Sequence, residues 1–470
     1  MEPATPQAME ERAQWGSKLG FILSAMGSAV GFGSIARFPM NVANNGGAVF
    51  VVLYAGIMIL IGVPLMISEF SMGRTSQKNT VGTFKHLSGN PRTPWRTAGW
   101  LYFLMAAFFL SWYAVVSGWV LRYAFVSLGG AYFDDTSGYQ FNTTEGPDAL
   151  FWHFGVMALT LVAVTGKISK GIEKVNLFMM PTLFAIILGL AIYAMTLDNV
   201  VEGYKFYLRP DFGAVTLGVV TAAFGQAFFS LSLGQGAMMT YASYLPKSNS
   251  LANSSLTIAL STLTFALTCG FMIFPMLAAF GLLSGDVAGL DLIFGPLSNA
   301  FAQMGSPTGN IVGFFFFTAT FFAAFTSAVS LTEPMIAYVS EEWRIPRIGA
   351  AFFTVIAIYT AGVPAAFSEE FLGLAGGALT DFLVILGGFL IALYVGWFSP
   401  TAKARERMDM SEGGLRLSWY VLPVARYVLP VVLVILMFFA VAGTPCALSG
   451  GAEAGGIVGE FGGDLIGCDG

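Results

Sequence analysis

Charge is what this chain has least of. Asp, Glu, Lys and Arg make up 10% of its 470 residues, against about 25% in a soluble domain. With 56% of the residues hydrophobic as well, there is too little polar surface to face water. That excludes a soluble enzyme or a nucleic-acid-binding protein and leaves a polytopic membrane protein partnered by the lipid bilayer. Histidine occurs twice, as His86 and His153, and cysteine three times. These counts leave little material for a metal cluster, and an intramembrane enzyme would need paired His or Asp residues within its spans. Cys269 falls in an apolar run, whereas Cys446 and Cys468 lie in a Gly-rich tail and would pair if that tail faces an oxidising compartment. The opening residues, with Glu10, Glu11 and Arg12, lack the apolar core of a cleavable signal peptide. The first span is therefore expected to act as the insertion signal.

Against these absences stand long apolar runs. Windows of about 20 residues give eleven candidate spans: 19–40, 47–71, 98–128, 151–165, 175–197, 214–243, 252–283, 308–340, 348–367, 371–398 and 417–443. The fourth is short and the third, eighth and tenth are long, so tilt or extension is expected there. With a cytoplasmic N-terminus, the inner segments hold 17 of the 22 Lys and Arg, from Arg12 and Lys18 through Arg74, Lys167 and Lys247 to Arg416. The outer segments hold mostly acids, such as Asp134, Asp135, Glu369 and Glu370. This alternation follows the positive-inside rule and puts the C-terminal tail outside.

The first run carries Gly27, Gly31 and Gly33 within seven residues at its middle. Glycine costs roughly 1 kcal/mol relative to alanine in a helix interior, and backbone groups freed by unwinding find no water in hydrocarbon. Such an interruption is tolerated where its N–H and C=O groups face a binding cavity, so this stretch is expected to be the centre of a solute and ion site. A second interruption, at residues 229–236 with Gly234 and Gly236, lies in the sixth run. The two breaks open two sets of five spans, and five is odd, so the second set starts from the opposite side of the membrane. That is an inverted repeat whose discontinuous helices meet near the bilayer midplane. Small residues that merely let helices pack closely explain either stretch alone, but poorly both in register. Half-helix N-termini suit a carboxylate and half-helix C-termini expose carbonyls to a cation.

Several motifs now carry a resemblance. Arg12-Ala13-Gln14-Trp15, the run 27–39, Asn45-Gly46-Gly47, Gly62-Val63-Pro64-Leu65 with Glu69 and Met72-Gly73-Arg74, residues 226–232 with Tyr241-Ala242-Ser243-Tyr244, and Thr326-Ser327 before Glu333-Pro334 together resemble the neurotransmitter:sodium symporter family. The likeness runs over about residues 12–440, and eleven spans look like the family's bacterial and archaeal amino-acid transporters. It implies an all-α LeuT-type fold, a 5+5 inverted repeat with discontinuous helices 1 and 6. The chain then divides into a cytoplasmic segment with the inner gate (1–18), two repeats (19–197 and 198–400), helix 11 (401–443) and a Gly-rich extracellular tail (444–470).

Carried over position by position, the family's most widely shared sodium site would use the carbonyls of Gly27, Val30 and Ala323 with the hydroxyls of Thr326 and Ser327. Thr326 and Ser327 read alone would bond back within their own helix; the motif argues otherwise. A second sodium site would use Ala29, Ser34, Ser230 and Thr262. Hydroxyls there replace the family's amides, with shorter reach and weaker dipoles, and predict a weak or absent site. Tyr113 matches the tyrosine that donates to the bound carboxylate, beside the N–H groups of Phe32 and Gly33. Biogenic-amine members place an aspartate where this chain has Gly31, and a buried ammonium without a counter-charge costs several kcal/mol, so the ligand should be a zwitterionic amino acid. The solute set is Ser28, Ala29, Phe32, Gly33, Phe109, Tyr113, Phe229, Ser230, Ser232, Gln235, Ser327 and Leu331. Gln235, in an otherwise apolar pocket, needs a hydrogen-bond partner, either the substrate or the backbone of the break.

For the gates, Arg12 and Trp15 match the inner end, with Glu341 as the acidic partner and Tyr244 beside it. Arg37 matches the outer arginine. Its usual acid aligns near Gly376, and Asp381 is the acid that the tenth span contains. Tyr54, Gln226 and Ser230 match halide-binding positions, but Ala266 offers neither hydroxyl nor carboxylate, so chloride is left open. The resemblance implies a non-enzymatic, sodium-coupled amino-acid symporter of the cell membrane, monomeric or homodimeric, working by alternating access. A sodium-dependent sensor that has lost transport, or a non-concentrative channel on the same fold, are the rival readings.

Overall fold

The computed structural model describes residues 13–283, 291–410 and 414–442. The expectations for Arg12 and for Cys446 with Cys468 lie outside the described residues.

Nine helices among the described residues are long and apolar enough to cross a membrane. They are Ala48–Ser76, Arg96–Ser127, Gly146–Thr165, Ile172–Ala194, Leu251–Ala279, Thr308–Glu342, Arg347–Phe367, Glu369–Phe398 and Ser418–Ala440. The first and the sixth spans are each split into two helices. With the nine, they account for the eleven expected elements of an all-α polytopic membrane protein. The fourth span starts earlier than its apolar window implied, because Pro147 sits in its first turn, where a missing N–H costs nothing.

The first span consists of Lys18–Ala29 and Gly33–Asn44, bent by 56°. Ser17 caps its start by accepting from Gly20 N at 2.9 Å. At Val30 the backbone leaves helical geometry (ψ 82°), which turns carbonyls out of the helix axis. The sixth span runs over Leu217–Ser230, breaks, and resumes as the short helix Ala237–Ala242. Inside that break Ser232, Gly234 and Gly236 have φ of 50°, 72° and 80°. Glycine takes that conformation freely. Ser232 takes it with its hydroxyl donating across to Ser28 O at 2.7 Å, so one break pins the other.

Freed N–H groups need acceptors. Glu69, fully buried in the second span, accepts from Gly234 N and Met239 N, each at 3.2 Å. Gly234 also lies backbone to backbone on the tenth span: a Cβ there would sit 2.5 Å from Val384 O and 2.6 Å from Gly388 N. The third and eighth spans pack along each other and against the first, fourth and fifth, walling the space between the breaks.

Candidate functional site

Between the breaks and the third and eighth spans lies a small cavity. Ser28, Ala29, Phe32, Gly33, Phe109, Tyr113, Phe229, Ser232, Gln235, Ser327 and Leu331 all line it, and Gly31 joins them. Ser230 does not. It is fully buried behind the wall, where its Oγ accepts from Gln226 Nε2 at 2.9 Å. Its position on the helical side of the break turns it away from the solute, which corrects the expectation that it lines the cavity.

Gly31 is held tightly. A Cβ at this position would lie 2.6 Å from Ser327 Oγ and 2.8 Å from Tyr113 Oη. Phe32 N donates to the Tyr113 hydroxyl at 3.5 Å, a long bond that leaves the donor largely available. Gln235 is 4% exposed, and no hydrogen bond holds its amide, so the alternative in which the break's backbone satisfies it is not what the fold adopts. Beyond Gln235 lies a second, apolar cavity of about 190 Å³, walled by Met105, Phe108, Phe109, Leu383 and Val384 with Thr380.

Of the five oxygens expected around one sodium, Ser327 Oγ meets Gly27 O and Thr326 Oγ1 meets Ala323 O. Ser327 Oγ donates to Gly27 O and Ser28 O, both at 3.2 Å, across some 300 positions of sequence. Thr326 Oγ1 bonds back within its helix, to Phe322 O at 3.0 Å and Ala323 O at 3.1 Å. Back-bonding therefore describes Thr326 but not Ser327. The carbonyls of Gly27 and Val30 sit at the C-terminal end of a half-helix, where partial negative charge collects. Hard oxygens alone suit an alkali cation, so the residues fit the ion. For the second set, Ser34 Oγ and Thr262 Oγ1 are fully buried with no hydrogen-bond partner, on a turn and a helix that pack together.

The sequence pattern of the Sodium:neurotransmitter symporter family matches residues 12–153 and 149–449. The chain belongs to that family. It is 32% identical over 447 residues to the sodium-dependent transporter YhdH of Bacillus subtilis, covering 91% of this chain and 97% of that one. It is also 32% identical over 454 residues to a sodium-dependent transporter of Methanocaldococcus jannaschii, covering 91% and 90%. Among solved structures, MhsT in complex with L-phenylalanine matches with a TM-score of 0.81 and 35% identity, over 91% of this chain and 99% of that chain. The LeuT-type fold is thereby shared.

Within this symporter fold side-chain contacts cross between spans on either side of the cavity. On the outer side Arg37 and Asp381 pair through both oxygens, and the Arg37 guanidinium lies 4.6 Å over the Phe229 ring. The acid that meets Arg37 is thus Asp381. Gly376, where it was expected, packs on Trp112 instead, and an irregular residue at Gly377 interrupts the helix in between. On the inner side Trp15 Nε1 donates to Tyr241 O at 2.9 Å and Trp15 N to Tyr244 O at 3.3 Å. Tyr244 Oη donates to Glu333 Oε1 at 2.7 Å, and Arg347 clamps both oxygens of Glu333 at 2.9 and 2.7 Å. Glu341 accepts from Asn79 N at 3.0 Å and Asn79 Nδ2 at 2.9 Å.

Several structural partners escaped the sequence reading although their signal was there. Glu69, Glu173 and Glu333 are acids inside apolar spans, where an ionisable group demands a partner. Glu173 accepts from Gly16 N at 2.7 Å and Ser17 Oγ at 2.8 Å, tying the start of the first span to the fifth. Around the halide positions, Gln226 is already engaged. Its Nε2 donates to Gly33 O at 2.6 Å and its Oε1 accepts from Asn41 Nδ2 at 2.9 Å, while Tyr54 and Ala266 are fully buried.

Proposed function

We propose that this sodium-coupled symporter carries a zwitterionic amino acid by alternating access. The observation that carries the substrate class is Gly31. It carries no side chain, and a Cβ there would lie 2.6 Å from Ser327 Oγ and 2.8 Å from Tyr113 Oη, so this position offers no carboxylate to meet an amine. The solute must then bring its own carboxylate to the Tyr113 hydroxyl and the N–H groups of Phe32 and Gly33. Its side chain meets Phe109, Phe229, Ser232, Gln235 and Leu331. Sodium is held by Gly27, Val30, Ala323, Thr326 and Ser327, with Ala29, Ser34, Ser230 and Thr262 as a weaker second site.

Contacts across spans on both sides of the cavity support the carrier over a channel, because a conducting pore needs one continuous path. The Arg37–Asp381 pair also supplies the outer acid whose apparent lack pointed toward a sensor. In this reading the N-terminus is cytoplasmic and the gates open in turn. The test is binding of each of the twenty amino acids to purified protein, by scintillation proximity, in sodium against potassium. Saturable binding of one or a few in sodium alone is expected; binding that ignores the cation overturns the reading.

A further inference from the structure

Asn176 lies in the fifth span, Ile172–Ala194, and is fully buried. Its Nδ2 donates to Ile172 O at 2.8 Å. A backbone carbonyl only accepts, so that bond fixes which end of the amide is which. The other end, Oδ1, has no hydrogen-bond partner. Buried amide oxygens are seldom left so, because losing water without a replacement donor is costly.

The orphaned oxygen has a definite address. A Cβ built on Gly27 would collide with Asn176 Oδ1, and would also stand 3.1 Å from Asn176 Cγ and 3.1 Å from Thr326 Cβ. Asn176 Oδ1 therefore rests beside the Cα of Gly27, on the flank where Gly27 also packs on Thr326. Among the described residues no donor reaches it: the Thr326 hydroxyl is turned to its own helix, and the Ser327 hydroxyl to Gly27 O and Ser28 O. A cation needs no donor. It gathers oxygens, and an amide oxygen is as suitable as a carbonyl.

We propose that Asn176 Oδ1 is a further oxygen ligand of the sodium ion held between the first break and the eighth span, an inference that rests on the sodium site proposed above. The ion then joins three spans rather than two. Glu173, three residues earlier and on the same helix face, already clasps Gly16 and Ser17. Sodium at Asn176 adds a second tie between the fifth span and the inner half of the first.

The test uses full-length protein in detergent without amino acid, reading the thermal midpoint against sodium concentration at constant ionic strength. Asn176→Ala is expected to raise the half-saturating sodium about tenfold, and Asn176→Asp, which replaces a dipole by a charge, to lower it at least threefold. Ser327→Ala serves as the reference for the site itself. If Asn176→Ala responds to sodium like the parent while Ser327→Ala has lost the response, the sodium site stands and Asn176 is no ligand. If Ser327→Ala also responds like the parent, the sodium-site reading fails with it. Should Asn176→Ala not purify, an unchanged or raised half-point for Asn176→Asp overturns the proposal.

Discussion

Arg37 and Asp381 meet through two parallel hydrogen bonds of 2.7 and 2.8 Å, from positions 344 residues apart. The fork of a guanidinium on a carboxylate fixes orientation as well as distance, and here it locks the first span to the tenth directly above Phe229. A charge inside a membrane span costs roughly 2.5–3.5 kcal/mol on insertion scales, so two such residues facing each other are a built contact. Asp381→Asn removes one charge and one acceptor. Hydrogen bonds to charged groups contribute about 1.5–3 kcal/mol, and substrate uptake per unit protein is expected to fall about tenfold or more. Uptake at the parental rate would show that the pair is not a gate.

Ser327 bridges two halves of the chain through the carbonyls of Gly27 and Ser28. Ser327→Ala deletes one ligand of the proposed ion. Half-saturating sodium for amino-acid binding is expected to rise about tenfold, equivalent to about 1.4 kcal/mol. Radiolabelled amino-acid binding titrated with sodium measures it.

Gly31 has no room for a methyl group. In Gly31→Ala the new carbon would push on Ser327 Oγ and Tyr113 Oη together, so affinity for amino acid and for sodium should decline in parallel, each by about tenfold or more if the strain reaches about 1.5 kcal/mol. Calorimetry with each ligand decides. A variant that loses only one of the two would separate the sites that the geometry joins.

Gln235 stands between the two cavities with its amide unengaged. An apolar pocket discriminates weakly, whereas a site with an unpaired polar group strongly disfavours ligands that leave it unpaired. Gln235→Leu is expected to shift preference toward aliphatic side chains by about tenfold relative to side chains with a hydrogen-bonding group, roughly 1–2 kcal/mol. Competition binding across the twenty amino acids reads the ratio directly.

Much of this was legible in the residues. Gly27, Gly31 and Gly33, with Gly234 and Gly236, announce both breaks, because glycine in an apolar run has a cost that only function offsets. Eleven of twelve expected cavity residues line it, since a half-turn of exposed backbone and its flanking side chains share one direction. Ser230 was misplaced because motif spacing does not say where the helix stops, and it stops one residue after Phe229. Asp381 was left without a partner because an irregular turn at Gly377 shifts the register, which a linear alignment does not see. Asn176 gave no signal at all: a lone amide in an apolar helix reads as packing until its neighbours are in place.

The eighth span is a single unbroken rod of 35 residues, about 52 Å long at 1.5 Å per residue. It carries Thr326 and Ser327 against the proposed ion site, Leu331 against the cavity, Glu333 against Tyr244 and Arg347, and Glu341 against Asn79. Each residue turns the rod by about 100°, so these bearings are set by counting alone. One residue inserted or deleted between Ser327 and Glu333 would swing every contact below it to a new azimuth while leaving those above in place. The spacing along this stretch is thus a fixed gearing between ion, solute and inner closure, open to substitution but closed to changes of length.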